Sequence, residues 1–236
     1  MKKFCCDALR FLKDRFWSPE CQLCGGLAFG PDICRGCFRD LPRAVHSCRC
    51  CAAALPGPGV CGACLKRPPA FETALVPFVY TFPIDRILQR LKYQSRLEHS
   101  RLLGELLGHH VRRKSGPVDA IVPVPLHMSR WRQRGFNQAL ELARWVSRVT
   151  GTPVATDMCR RIRDTPPLWP LSPPGRRRLL RQAFETEQRI DGSHLVVLDD
   201  IMTTGSTASA IAASLLKAGA GTVTVWAVAR SVGIRT

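Results

Sequence analysis

Acidic residues are scarce in this sequence: 18 Asp and Glu stand against 35 Lys and Arg, for a net charge of +17. A chain so short of negative charge attracts polyanions, so nucleic acids and phosphorylated ligands are plausible partners. An arginine-rich solvated surface would show the same balance. Long apolar runs are also missing. No stretch approaches the roughly 18 apolar residues of a membrane span, so no stable membrane insertion is expected. The opening residues, MKKFCCDALRFLKDRFW, are broken by Asp7, Arg10, Lys13 and Asp14 and lack the apolar centre of a secretion signal. A cytoplasmic location is expected. Phe4, Leu9, Leu12 and Phe16 recur at near-helical spacing, which predicts an amphipathic helix within residues 1–18 that docks onto the protein's own body rather than a membrane.

Cysteine is plentiful. The chain has 12, and without a secretion signal they do not suggest a disulfide framework, because the cytosol keeps thiols reduced. Eight of them form four C-x2-C knuckles: Cys21 and Cys24, Cys34 and Cys37, Cys48 and Cys51, Cys61 and Cys64. One knuckle brings two thiolates to a tetrahedral zinc ion and a second completes the set. Sequential pairing gives two sites, Cys21/Cys24/Cys34/Cys37 and Cys48/Cys51/Cys61/Cys64; pairing the first knuckle with the last is an alternative. Redox use of single knuckles is a further reading, weakened by their even spacing. Closed four-cysteine sites would be structural, replacing a hydrophobic core too small to form alone. Cys5, Cys6, Cys50 and Cys159 fall outside the pattern and read as non-ligands.

The prolines of LKRPPAF (65–71) mark the exit from a double zinc-ribbon module over residues 19–67. Strand and helix patterns then alternate through a domain spanning 72–236. ALVPFVY (74–80) reads as a strand and residues 84–111 as two helices. VDAIVPVP (118–125) reads as a strand, NQALELARWVSRVTG (137–151) as a helix closed by Gly151, and SHLVVLDD (193–200) as a buried strand. STASAIAASLLKAGA (206–220) is its following helix and TVTVWAVA (222–229) a last strand. Alternation of this kind predicts an α/β fold, Rossmann-like, with a mostly parallel sheet between helices. Residues 159–182, rich in Arg and Pro, read as a loop with a short basic helix. No internal repeat is present beyond the cysteine pairs.

Ligands of open parallel sheets bind beyond the carboxyl ends of the strands. There the sequence places Asp199 and Asp200, followed by Thr203, Thr204, Gly205, Ser206 and Thr207. A helix beginning near Ser206 offers free N–H groups and a positive dipole end. The hydroxyls add donors, and Gly205 lets an oxyanion approach the backbone. The carboxylates would repel a phosphate but suit vicinal ribose hydroxyls nearby. A hydroxyl-rich turn that only caps its helix is the simpler alternative, though it leaves the acid pair unexplained.

LVVLDDIMTTGST (195–207) resembles the signature of type I phosphoribosyltransferases. The resemblance implies that Asp199 and Asp200 hold the ribose hydroxyls of phosphoribosyl pyrophosphate (PRPP), and that residues 203–207 hold its 5-phosphate. VPVPLHMSRWRQRGFNQALELA (122–143), LKYQSR (91–96), RDTPP (163–167) and the cysteine module together are similar to the ComF competence-protein family, from Cys21 to about Arg230. By that similarity Pro123, Val124, Pro125 and Leu126 form a pyrophosphate-side loop. Residues 127–138, with Arg130, Arg132 and Arg134, form a mobile basic flap; a merely solvated loop is the alternative for these arginines. The sequence departs from the family at Leu168, Trp169 and Leu179, where polar residues are expected.

As a transferase the protein would displace pyrophosphate from the ribose, with Mg2+ bridging pyrophosphate and ribose oxygens and Arg134 among the groups neutralising the leaving group. Active phosphoribosyl transfer in nucleotide or amidophosphoribosyl-type metabolism is the alternative function. No acceptor pocket is recognisable, and the Met-Lys-Lys start implies no glutamine-hydrolysing half. The favoured expectation is a PRPP-binding and Mg2+-binding protein of DNA uptake and natural transformation. It would handle single-stranded DNA alongside other competence proteins, with Trp131 and Phe136 interleaved among the flap arginines. Those two aromatics would equally suit packing against the domain.

Overall fold

Buried aliphatic strands, each too apolar to face water on either side, organise the larger part of the molecule. The structure, a computed structural model, describes residues 20–28, 32–94, 96–164, 175, 179–180, 183–186 and 189–232. The helix expected within residues 1–18, and the family departures at Leu168 and Trp169, lie outside these. The chain divides into two units, one up to Leu41 and one from Pro42.

In the smaller unit the first knuckle closes a tight loop. Cys21 N–H donates to Gly26 O at 2.7 Å and Gly25 N–H to Cys21 O at 2.9 Å. Helix α1 (Arg35–Arg39) starts at the second knuckle, where the Cys34 sulfur accepts the Cys37 amide.

The larger unit opens with the antiparallel pair β1 (His46–Ser47) and β2 (Ala54–Leu55), followed by α2 (Gly62–Lys66). The segment expected as one strand at 74–80 forms two short ones, β3 (Ala74–Leu75) and β4 (Phe78–Val79), separated by Val76-Pro77. Proline has no N–H for a sheet ladder. Helices α3 (Ile84–Tyr93) and α4 (Glu98–Arg112) follow, then β5 (Ala120–Pro123), α5 (Met128–Arg134) and α6 (Gln138–Thr150). Asn137 caps α6 by accepting the Ala139 amide, and Gly151 ends it in the left-handed conformation. The Arg-rich and Pro-rich segment contributes β6 (Arg160–Arg161), paired antiparallel with β7 (Phe184–Glu185). Then come β8 (His194–Met202), α7 (Ser206–Lys217) and β9 (Thr222–Arg230).

The central sheet is parallel throughout, with β9 between β8 and the β3–β4 edge, and β5 on the other side of β8. Leu195, Val196, Val197 and Leu198 are each fully buried, so both faces of β8 are covered, as in α/β sheets generally. Helices α4 and α6 pack unusually close. A Cβ at Gly104 would stand 2.5 Å from Trp145 Cβ, and one at Gly108 would stand 2.8 Å from Val149 Cβ. Because every strand of this sheet runs the same way, the ends of β4, β5, β8 and β9 converge on one edge.

Candidate functional site

At that edge β8 runs through the acid pair before it ends at Met202. Asp200 is buried at 3% exposure, while Asp199 is half-buried. Burying a carboxylate calls for a cation or a proton, and the two acids solve this differently. Asp200 meets the Lys92 ammonium at 2.6 Å. Among the described residues no cation stands at contact distance from Asp199; burial, then the adjacent Asp200 charge, push its carboxyl up to about 8. Lys92 itself sits near the end of α3. Its burial works against the charged form, but Asp200 and then Asp199 outweigh that and hold its pKa above the usual value.

The hydroxyl cluster folds as its sequence suggested. Gly205 adopts φ +76°, and a side chain there would meet Met202 Cε at 2.8 Å, so both conformation and space call for glycine. Helix α7 begins at Ser206 with glycine at its cap position and therefore no capping side chain there. Thr204 Oγ1 accepts the Ser206 amide at 3.3 Å and lies 2.8 Å from Ser206 Oγ. Asp199, Thr203, Gly205, Ser206 and Thr207 line one small cleft. Acid and hydroxyl groups thus face a common space at a helix N-terminus, a setting that suits a phosphorylated, hydroxylated ligand.

Pro123, Val124, Pro125 and Leu126 lie alongside. Pro123 is in register with Leu198, the Val124 amide donates to Leu198 O at 2.9 Å, and Asn137 Nδ2 donates to Val124 O at 3.0 Å. Residues 128–134, within the segment likened to a flap, form helix α5. His127 caps it through Ser129, and the Ser129 hydroxyl donates to Asp164 at 2.7 Å. That hydrogen bond, followed by His127, Arg130 and Arg161, holds the Asp164 carboxyl below its usual range. Arg134 stacks over the Tyr93 ring at 5.5 Å and reaches Gln138 at 3.3 Å. It is not among the residues lining the small cleft.

Two residues of this neighbourhood carried no role in the sequence reading. Lys92 stands within LKYQSR, but nothing local says that it reaches Asp200. Arg161 lies near enough to Asp199 and Arg130 for their charges to act on it; burial, then Arg130, lowers its pKa against the pull of Asp164 and Asp199. A motif of one strand and one turn cannot reveal partners delivered by other strands and helices.

The cysteines gather as sequential pairing requires. In each of the sets Cys21/Cys24/Cys34/Cys37 and Cys48/Cys51/Cys61/Cys64 the sulfurs lie within 4.8 Å of one another, so each set could hold a metal ion. Four thiols so disposed are a zinc donor set. Burial raises the Cys21 and Cys48 thiols, yet surrounding backbone N–H groups bring each down to about 6, which favours the thiolate that a metal needs. Cys50 and Cys159 stand outside both sets, and burial pushes Cys159 up to about 12. The second set is tied to the sheet. Arg230, at the end of β9, donates to Cys51 O at 2.8 Å and to Met202 O at 2.9 Å, and the Thr73 hydroxyl donates to Arg49 O at 2.8 Å.

Comparison with known proteins adds relatives. The chain is 37% identical over 173 residues to the DNA utilization protein YhgH of Salmonella typhi, covering 71% of this chain and 76% of that protein. It is 31% identical over 208 residues to competence protein F of Haemophilus influenzae, covering 84% and 90%. No family model matches. Among solved structures, glutamine PRPP amidotransferase from B. subtilis overlaps 59% of this chain and 30% of its own, with 20% identity and a TM-score of 0.39. Purine phosphoribosyltransferase from Pyrococcus horikoshii overlaps 54% and 79%, with 14% identity and a TM-score of 0.34.

Proposed function

Because the chain belongs to the family of competence protein F and the DNA utilization protein YhgH, we propose that it binds PRPP at the Asp199–Thr207 edge and serves the use of incoming single-stranded DNA. The observation that carries the PRPP half is that Asp199 and the hydroxyl turn line one cleft at the N-terminus of α7. Asp199 and Asp200 would accept hydrogen bonds from the ribose hydroxyls. Backbone N–H groups and the hydroxyls of residues 203–207 would hold the 5-phosphate, and the Pro123–Leu126 loop and Arg134 would lie on the pyrophosphate side. Mg2+ fits the donors present, since it favours phosphate oxygens plus one or two carboxylates; among the described residues no cation is bonded to Asp199, whereas one Asp200 oxygen already faces Lys92. When bound it would offset pyrophosphate charge. Zinc in both cysteine sets would hold the knuckles as structural elements. Support for the DNA half is the relatives' names and the excess of 35 basic over 18 acidic residues.

The test is fluorescence anisotropy of a labelled single-stranded oligonucleotide, with and without PRPP and Mg2+, on the wild-type chain and on Asp199→Asn with Asp200→Asn. Binding that PRPP alters in the wild type is expected. The double variant should need about tenfold more PRPP for the same change, on the order of 1.4 kcal/mol. Equal PRPP responses in both proteins would end the acid-pair assignment, and no DNA binding in any condition would end the nucleic-acid role. In that case active phosphoribosyl transfer, favoured by the intact acid pair, becomes the leading reading, and pyrophosphate release from PRPP with candidate acceptors is the measurement.

A further inference from the structure

One side chain joins the second cysteine set to the turn that lines the cleft. Arg230 ends β9 in register with Met202, the last residue of β8. Its Nη1 donates to Met202 O at 2.9 Å, its Nε donates to Cys51 O at 2.8 Å, and its Nη2 stands 3.8 Å from Cys51 Sγ. A guanidinium is a rigid planar fork, so the two carbonyls and the sulfur are held in fixed relation. Cys51 and Met202 are both buried, where a lost hydrogen bond is not readily replaced by water.

The Met202 end of this bridge controls the turn. Met202 O also accepts the Ser231 amide at 3.1 Å, and the peptide unit it belongs to is planar. Fixing that carbonyl therefore fixes the direction of the Thr203 N–H, the first amide of residues 203–207. Met202 and Thr203 both line the cleft. The Met202 side chain bears on the same turn, its Cε 2.8 Å from where a Gly205 Cβ would stand. At the other end, Cys51 belongs to the second four-cysteine set, and a site of that kind owes its loop geometry to its metal. A side-chain donor on the sulfur suits the outer shell of a metal-bound thiolate. A separate route runs from this set through residues 65–73 to α7, where the Ala70 amide donates to Ser209 Oγ at 3.0 Å.

We propose that Arg230 is a positioning residue: through it, metal in the second cysteine set orders residues 203–207 and so sets their hold on an anionic ligand. The inference rests on zinc in that set, and its consequence for binding rests on the PRPP reading.

Hydrogen exchange of the full zinc-loaded chain, read by mass spectrometry, follows the amides of residues 203–209. Among them is Ser209 N–H, which donates to Gly205 O at 2.8 Å; the amides of α4 and α6 serve as a fold control. Arg230→Met, Cys61→Ser to open the second set, and the two combined are compared with the wild type. Each single change is expected to speed exchange at 203–209 about tenfold, with α4 and α6 at wild-type rates. Arg230→Met should keep both zinc ions by elemental analysis. The combined variant should exchange no faster than either single one; multiplied effects would route the coupling through Ala70 and overturn the role of Arg230. Unchanged exchange in either single variant, or zinc loss from Arg230→Met, also overturns it. Should Cys61→Ser not fold, chelator titration of the wild type and Arg230→Met supplies the metal arm, with the same two outcomes. In parallel, PRPP with Mg2+ is titrated by calorimetry, and about tenfold weaker binding to Arg230→Met is expected. Equal affinity overturns the effect on binding. Absence of PRPP binding in the wild type ends the PRPP reading alone, and the exchange result still decides the link from metal to turn.

Discussion

Lys92 and Asp200 form a buried ion pair at 2.6 Å, and such pairs are costly to break from one side. Removing the lysine leaves a carboxylate buried without its cation, which costs about 3–5 kcal/mol. Lys92→Met is therefore expected to lower urea-unfolding stability by that order, and adding Asp200→Asn should recover most of it; an unchanged midpoint in the single variant would show the pair to be idle. Asp199 predicts a pH dependence. An acid whose pKa rises on folding, here to about 8, keeps its proton in the folded chain after the unfolded chain has lost it near about 4. Between these values the folded state binds more protons, so its contribution falls as pH rises. Asp199→Asn removes that loss. Scanning fluorimetry without ligand should show little gain near pH 4 and a gain that grows up to pH 8, about 2–4 °C for each kcal/mol recovered; a gain that shrinks as pH rises would contradict the assignment. The acid pair was legible in the sequence because two carboxylates after an apolar run have few structural uses. Lys92 was not, since its meaning depends on where α3 lies against β8.

Among the elements, close contact between helices decides more than local preference. Gly104 lies inside α4, where alanine would ordinarily gain about 1 kcal/mol in helix propensity. The added Cβ would stand 2.5 Å from Trp145 Cβ, an atom fixed near the backbone of α6, and overpacking of that kind costs about 1–3 kcal/mol. Gly104→Ala is expected to destabilise the protein by thermal denaturation, and stabilisation would mean that the two helices separate easily. Element positions were largely readable from apolar spacing: α3 and α4 match the expected 84–111 except that α4 runs one residue further, to Arg112, while α6 falls within 137–151 and α7 within 206–220. The 74–80 strand was less so, because Val76-Pro77 divides what hydrophobicity alone joins. The acid pair lies within β8 rather than beyond it, since backbone pairing with β9 continues to Met202.

At the scale of the molecule, metal content is the direct check on the cysteine sets. Elemental analysis of reduced protein should find two zinc ions per chain, and a value near zero would remove zinc from both. Knuckle spacing made the donors readable but left their pairing open; the fold brings the sulfurs of sequential knuckles together. A cavity lined by Arg43, His110, Lys114 and Arg230 could not be read in advance, because these residues come from three separated stretches of chain and only the fold makes them neighbours.

Strand β9 lies inside the parallel sheet, between β8 and the β3–β4 edge, yet it is the latest described strand in chain order. During synthesis on a ribosome, β3, β4 and one side of β8 must wait without their hydrogen-bonding neighbour until residues 222–230 emerge. Long-range parallel pairing of this kind is slow, and its unpaired edges are exposed to aggregation in the meantime. Stalled or prematurely ended chains that stop after α7 would thus carry the complete acid and hydroxyl motif on a sheet unable to close. They are expected to partition to chaperones or inclusion bodies rather than to persist as a smaller working protein.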